Sequence, residues 1–143
     1  MFRLESLAVL VVCLASLALA GYQTYGVKGC FTCGAKPATG LEIHLYDHDS
    51  VSPNDLIGEC KTDSDGCFTV QGNENEFLDI DPLLVVIHKC GHGALDFGKR
   101  TVPFVLPKSY ITRGSGVPMT YFDLGRINLE TIFKDEGTKW FGR

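Results

Sequence analysis

The stretch LEIHLY, Leu41–Tyr46, indicates the fold class most directly, because its side chains alternate between apolar and polar. A period of two residues is the period of a β-strand, whose successive side chains point to opposite faces. The segment is therefore expected to be a strand with one face in a core and one face in solvent. The two sets are Leu41, Ile43 and Leu45 on the core side, and Glu42, His44 and Tyr46 on the other.

Two later segments carry the same kind of signal. In RTVPFVL, Arg100–Leu106, the apolar positions 102, 104 and 106 predict an inward face. Pro103 points outward and has no N–H to donate to a ladder, so either this strand is expected at a sheet edge or the proline at a bulge. LLVVI, Leu83–Ile87, is apolar at every position. That pattern predicts a central strand that is buried on both faces.

The stretch TDSDGCF, Thr62–Phe68, is a turn signal. Asp65-Gly66 supplies the positive φ angle that a tight turn requires. Apolar residues occur on both sides of the turn, so we predict a β-hairpin that pairs Ile57–Thr62 with Phe68–Gln71. Further strands are predicted at Tyr25–Cys33, Pro118–Leu124 and Arg126–Glu130.

No long stretch repeats its apolar residues every 3.6 positions, so helix content is expected to be low. One short helix has room near NENEFL, Asn73–Leu78, or near PKSYI, Pro107–Ile111. Seven or eight short strands with turns rich in Gly, Pro, Ser and Asp are typical of a sandwich. The predicted fold is an all-β, two-sheet β-sandwich.

The first 20 residues predict a secretory signal peptide. A short start containing Arg3 precedes the apolar run Ser6–Leu19, and Ala18-Leu19-Ala20 has the small-x-small pattern of a cleavage site. The run is shorter than the roughly 20 residues that span a bilayer, so no membrane span is expected. We therefore predict a signal peptide at 1–20, one domain at 21–143, and secretion to the extracellular space.

The mildly acidic balance of the chain excludes one class of partner. The formal net charge is −4, and the basic residues form no cluster. A nucleic-acid-binding surface needs concentrated Lys and Arg to neutralise phosphates. Nucleic acid is therefore not an expected partner.

Five cysteines follow the predicted signal, and in a secreted chain they indicate disulfides with one cysteine left over. Residues three apart in a strand lie about 10 Å apart and face opposite sides, so Cys30 and Cys33 should not bond each other. Cys33 shares the inward parity of Phe31, which favours Cys90, at the end of the central strand, as its partner. Cys60 and Cys67 flank the turn and are the second predicted pair. Cys30 is then free or intermolecular, with a Cys30–Cys67 bond as the alternative if their strands are neighbours.

Two motifs suggest metal sites, and neither is expected to be one. His88, Cys90 and His92 have a spacing that suits zinc, but an oxidised Cys90 cannot ligate it. An EF-hand loop beginning at Asp63 would need glycine at its sixth position, which Phe68 occupies here. Turn chemistry explains the acidic residues better, and no metal or cofactor is predicted.

Five segments together resemble the transthyretin-like family of secreted nematode proteins. They occur in order and cover nearly the whole chain after the signal: VKGCFTCGAKPATGLEIHLYDHD (27–49), NDLIGECKTDSDGCF (54–68), EFLDIDPLLVVIHKC (76–90), KRTVPFVLPKSYI (99–111) and FDLGRINLE (122–130). The resemblance implies a secreted transthyretin-type sandwich with no established enzymatic activity for the family as a whole. Typical members have a cysteine after the position of Cys90, which is absent here, whereas Cys30, Cys60 and Cys67 are additions to the pattern.

The predicted function is therefore non-enzymatic extracellular binding or bridging of a protein, a glycan or a lipid. One alternative is an oligomeric carrier of a small apolar ligand, by analogy with transthyretin. The other is a hydrolase, because transthyretin resembles 5-hydroxyisourate hydrolase. That enzyme is recognised by a C-terminal Tyr-Arg-Gly-Ser and channel histidines, whereas this chain ends with Trp140-Phe141-Gly142-Arg143. No residue is carried over as catalytic, and His44 and His48 fit a polar outer strand face.

Overall fold

A computed structural model describes residues 4–91 and 98–139 of the 143-residue chain. Helix α1 (Leu4–Ala20) comes first, and its described side chains are exposed. None of the described helices is long and apolar enough to cross a membrane. The strands are β1 (Tyr22–Cys33), β2 (Lys36–Pro37), β3 (Glu42–Asp47), β4 (Asp55–Lys61), β5 (Cys67–Asn75), β6 (Pro82–His88), β7 (Lys99–Val105), β8 (Thr112–Arg113), β9 (Phe122–Asn128) and β10 (Gly137–Lys139).

The strands form two sheets, which confirms the all-β sandwich. In the first sheet β1 is the centre: it pairs with β2 and β5 antiparallel, with the short β8 antiparallel, and with β9 parallel. The second sheet has the order β10-β7-β6-β3-β4. The described residues form ten strands, of which seven have six residues or more, whereas seven or eight strands were predicted. Between the strands, the residues that the structure describes contain one helical turn, a 3₁₀ turn at Lys108–Tyr110 inside the predicted PKSYI segment. Asn73–Asn75, in the other candidate segment, belongs to β5.

The core lies between the sheets and follows the predicted alternation. Ile43 and Leu45 of β3 are fully buried, as are Leu84 and Val86 of the central strand β6. They pack against side chains from the first sheet, which complete one cluster: Tyr25, Val27, Phe31, Phe68 and Val70. Each strand therefore contributes alternate residues to the core, as expected for two sheets packed face to face.

Pro103 lies in the part of β7 whose outer edge is unpaired, which suits a residue that has no N–H to donate. Strand β7 is between β6 and β10, but β10 pairs only with residues 99–101. After Thr101, none of the described strands pairs with β7 on the side away from β6. A proline at position 103 therefore removes no ladder hydrogen bond on that side.

The turn after Thr62 forms as predicted, but the strands that it joins do not make a hairpin. Asp63 Oδ1 accepts hydrogen bonds from the N–H groups of Asp65 and Cys67, both at 2.9 Å, and Gly66 has a φ of +76°. Strand β4, however, pairs with β3 in the second sheet, and β5 pairs with β1 over nine positions in the first. The hairpin prediction is wrong because the turn crosses between the two sheets. Strands β4 and β5 are not ladder partners, although they pass close to each other where Gly72 lies against the carbonyl oxygen of Ile57.

Candidate functional site

Two disulfides connect the strands that carry the cysteines. The sulfurs of Cys33 and Cys90 are 1.96 Å apart, which is the pair that the sequence favoured first and which ties β1 to the end of β6 in the opposite sheet. Cys30 is bonded to Cys67, with Cα atoms 3.9 Å apart. Cys60 is a half-buried thiol.

The Cys30–Cys67 bond corrects the predicted Cys60–Cys67 pair and the prediction that Cys30 is free. Cys30 and Cys67 are directly opposite each other in the β1–β5 ladder, which was the alternative that the sequence left open. Cys60 is in the other sheet, opposite Ile43, and packs against the core. Burial there raises the pKa of the Cys60 thiol, which makes it a poor nucleophile.

Peptide mapping of the purified, oxidised protein under non-reducing conditions should find Cys30–Cys67 and Cys33–Cys90. Cys60 should react with iodoacetamide faster after unfolding than in the folded protein, because it is half-buried and its pKa is raised. Cys33→Ala is expected to lower the free energy of unfolding by about 2–5 kcal/mol, and Cys60→Ser, the matched control, should change it much less. A Cys60–Cys67 peptide would contradict the crossing of the chain between the sheets.

An acidic cluster lies where β3, β4 and β5 meet at one end of the sandwich. Asp47 is 2% exposed and is opposite Asp55 in the β3–β4 ladder, and its Oδ1 accepts the N–H of Asp81 at 2.7 Å. Carboxylate oxygens of Asp55, Glu74 and Glu76 all lie within 4.8 Å of one another. Oxygens this close could contact one hard cation such as Ca²⁺, although exposed acidic groups often gather without one.

Crowding in this cluster changes the titration of its glutamates. Burial first, and then the charge of Asp47 with a hydrogen bond to it, raises the pKa of Glu76. Burial, followed by the charges of Asp55, Asp47 and Asp49, raises the pKa of Glu74. Both shifts favour the protonated form in the folded state, because like charges and lost hydration penalise the carboxylate.

Glu76→Gln should therefore stabilise the protein at neutral pH. An acid whose pKa is raised by folding stabilises the fold fully below its unfolded value, near 4.5, and loses that stabilisation as the pH rises through the folded value. We expect a gain of up to about 1 kcal/mol at pH 7.5 that disappears near pH 4, since solvent screens partly exposed charges.

Urea unfolding at both pH values, in EGTA so that no calcium contributes, measures the gain. Glu130→Gln, which changes an exposed acid away from the cluster, is the control. A loss of stability in Glu76→Gln at pH 7.5 would show that the carboxylate is needed as a charge.

The loop after β5 is held firmly and displays two large apolar side chains. Gln23 of β1 is 2% exposed and donates from Nε2 to the carbonyls of Glu76 and Leu78, at 3.2 and 2.7 Å. Its Oε1 accepts the N–H of Ile80 at 3.0 Å. Phe77 is fully exposed and Leu78 is 80% exposed, while Ile80 is fully buried. We call residues 76–79 the Phe77 loop.

The residues match one family of proteins. The family model of the transthyretin-like family matches residues 28–107. The chain belongs to the transthyretin-like family. It is 41% identical to transthyretin-like protein 46 of Caenorhabditis elegans, over 93% of this chain and 75% of that one. It is 40% identical to transthyretin-like protein 33 and 38% to transthyretin-like protein 5 of the same organism, over 80% and 90% of this chain and 79% and 94% of theirs.

The solved structures add little to this assignment to the transthyretin-like family. A 9R-lipoxygenase from Cyanothece aligns with 78% of this chain and 17% of its own, at 20% identity and a TM-score of 0.40. A likeness at that level supports no statement about activity.

Two of the three residues whose spacing suits zinc, His88 and Cys90, lie among the described residues of this transthyretin-like chain. Cys90 is oxidised, and His88 is buried with its Nδ1 accepting the N–H of Cys90 at 3.0 Å. His92 lies outside the described residues. His44 is on the outer face of the second sheet, and His48 is exposed beyond the end of β3.

Arg100 is a buried charge and was not among the residues predicted from the sequence to have a role. It is 5% exposed, and its guanidinium is paired with the carboxylate of Glu136. It also donates to the carbonyls of Cys90, Leu129 and Thr131 at 2.9–3.0 Å. Arg100 continues the alternation of Val102, Phe104 and Leu106. Its position in the strand therefore could have predicted that its side chain points inward. Asp47 continues the alternation of Ile43 and Leu45 in the same way, which predicts that it also points inward.

Proposed function

We propose that this transthyretin-like chain is secreted and that its sandwich is a non-enzymatic binding module, which contacts an extracellular protein through the Phe77 loop. One observation carries the proposal. A buried glutamine makes three hydrogen bonds to a loop whose two largest apolar side chains are left in solvent. Loops positioned by a rigid scaffold are common binding elements, and ordering the loop in advance lowers the entropy cost of binding.

The first 20 residues and the cysteines support secretion. The apolar side chains of α1 are exposed along its described part, so they contribute nothing to the core of the sandwich. Two disulfides in a domain of this size are typical of an oxidising, extracellular compartment. Removal of the helix as a signal peptide would leave the described core intact.

The charges around the Phe77 loop favour a protein over the other predicted partners. Glu74, Glu76 and Asp79 flank the two apolar side chains, although Arg113 is paired with Asp79 at 2.5 Å. Anionic lipid surfaces attract basic segments and would repel this loop. A protein surface with an apolar pocket and a basic rim is complementary to it in both respects.

The test compares Phe77→Asp with Val51→Asp, which changes an equally exposed apolar residue in another loop. Each secreted variant is cross-linked to extracellular proteins of the source organism, and the captured protein is then purified and its Kd measured. We expect wild type and Val51→Asp to bind alike and Phe77→Asp to bind at least tenfold more weakly. Equal binding by Phe77→Asp would contradict the role of the loop. Binding to phosphatidylserine vesicles or a glycan array, with no protein partner, would contradict the partner class.

The carrier alternative has less support in the single chain. A cavity of about 100 Å³ is lined by residues that include His48, Pro82, Val105 and Lys108. Sites for drug-sized ligands are usually about 300–1,000 Å³. A second groove, of about 350 Å³, is lined by Glu42, His44, Glu59, Cys60 and Lys61, and its charged and polar side chains do not suit an apolar ligand. A carrier would therefore need an apolar cavity between copies of the chain, and light scattering of the secreted protein measures whether such copies associate.

A further inference from the structure

The outward side chains of β5 form an uncharged polar row on the first sheet. Phe68 and Val70 point into the core, and the alternate positions of the strand are exposed. Side chains two apart on a strand share a face and are about 7 Å apart, so four of them extend over about 20 Å. We call them the β5 row: Thr69, Gln71, Asn73 and Asn75. None of the four is charged, in a chain whose formal net charge is −4.

Two residues of the β5 row are unusual in a strand. Asparagine is depleted in β-strands, where β-branched and aromatic residues are enriched. Asn73 and Asn75 nevertheless occupy consecutive outward positions, and both are exposed, so the core gains nothing from them. Positions that break a local rule without a benefit to the fold are often functional. The two amides are therefore candidates for contact with a ligand.

The loop between β8 and β9 forms a wall beside the β5 row. The ring of Tyr121 packs on β1 at Gly26, where a Cβ would lie 2.7 Å from two ring carbons. Gly26 is the ladder partner of Gln71, and the Tyr121 hydroxyl donates to Gln71 Oε1 at 2.6 Å. Thr24 is buried under the same loop and donates to the carbonyl of Ser115. The loop therefore covers β1 and leaves the outer face of β5 open as a step beside Tyr121.

The chemistry of this step matches neutral hydroxyl groups. Each amide side chain has one acceptor and two donors, so it can exchange hydrogen bonds with hydroxyl groups in both directions. A tyrosine adds an apolar ring and a polar hydroxyl. An acidic ligand would need a concentration of cations. Lys28 is opposite Thr69 at one end of the row, and its ladder partner on the other side is the acidic Asp123.

We propose that the β5 row and Tyr121 form a binding site for a neutral oligosaccharide. The amides of Gln71, Asn73 and Asn75 bind sugar hydroxyl groups, and the ring of Tyr121 packs against the C–H side of a sugar. The length of the row allows contact with several sugar units in succession. The site is independent of the function proposed for the Phe77 loop, because that loop follows β5 and contributes no residue to the row.

An oligosaccharide array probed with the purified, oxidised protein tests the class of ligand. The array contains neutral chains of glucose, N-acetylglucosamine, galactose or mannose, together with sulfated and sialylated chains. We expect binding to neutral chains alone. This binding should not weaken when NaCl is added, because salt screens charge pairs and no charge pair holds a neutral ligand.

Calorimetric titration with the neutral oligosaccharide that binds most strongly on the array locates the site. Gln71→Ala and Asn73→Ala should each weaken binding about five- to tenfold, the effect of losing one or two hydrogen bonds. Asn73→Asp keeps the size of the side chain but loses both donors, so it should weaken binding as much. Glu59→Gln, on the outer face of the second sheet, and Phe77→Asp are the controls and should bind as wild type does.

Melting of each variant checks the fold separately, and exposed positions such as Gln71 and Asn73 should melt as wild type does. Absence of wild-type binding to the array, or binding to sulfated or sialylated chains alone, would overturn the proposal. So would binding that survives the double substitution of Gln71 and Asn73 by alanine. Loss of sugar binding in Phe77→Asp would place the sugar on the Phe77 loop and would also overturn it.

Discussion

Replacing Gly66 by alanine or valine should lower the free energy of unfolding by about 3 kcal/mol or more and sharply reduce the yield of folded protein. Gly66 has a φ of +76°, and a Cβ there would lie 2.3 Å from the carbonyl oxygen of Phe31 and 3.0 Å from the amide nitrogen of Ala38. Both are backbone atoms, so neither can move aside as a flexible side chain would. The collision is also beside a hydrogen bond from Phe31 N–H to Gly66 O, at 2.8 Å.

Gly40→Ala is the matched control, because it separates backbone strain from collision. Gly40 has a similar φ of +69°, but a Cβ there would meet nothing within 4 Å. Its substitution should lower the free energy of unfolding by only about 1 kcal/mol, which is the strain of a left-handed conformation for a residue with a Cβ. Urea unfolding of both variants measures the difference, and equal losses would show that the crowding at Gly66 is unimportant.

Arg100→Met should destabilise the protein by about 3–5 kcal/mol, the range for breaking one partner of a buried ion pair. The substitution leaves the Glu136 carboxylate without its cation and removes the donors to the carbonyls of Cys90, Leu129 and Thr131. Methionine has a similar length, so the loss would reflect polar contacts more than volume. Chemical unfolding at pH 7 gives the magnitude.

Arg113→Met is the control for this prediction, since it breaks a pair in which both side chains are about half exposed. Its partner is Asp79, and exposed pairs contribute about 0–1 kcal/mol. The dependence of the free energy of unfolding on pH gives a second measurement of the Arg100–Glu136 pair. The hydrogen bond from Arg100 lowers the pKa of Glu136 to about 2, so the stabilisation from this pair is complete above about 4.5 and is lost as the pH falls towards 2. Arg100→Met should lose this part of the acid sensitivity. If Arg113→Met lowered the free energy of unfolding as much as Arg100→Met does, burial of the ion pair would not be the reason for the loss.

The sequence by itself determined the class of fold and the face of each strand. Alternation at Ile43 and Leu45, and again at Val102, describes which side chains meet the core, because the direction of a side chain along a strand depends only on its position. The turn at Asp63–Gly66 was also readable, since its hydrogen bonds and its positive φ arise within five residues. Resemblance to the family rested on such local patterns.

Only the tertiary structure decided which strands are neighbours. A turn sequence is compatible with a hairpin or with a crossing between sheets. Here the choice depends on strands outside the turn, because β4 pairs with β3 and β5 pairs with the more distant β1. That choice placed Cys30 opposite Cys67. The roles of Asp47 and Arg100 depend in the same way on partners contributed by other strands and loops. Their inward direction was predictable from parity, but a buried charge is stable only beside groups that long-range folding brings to it.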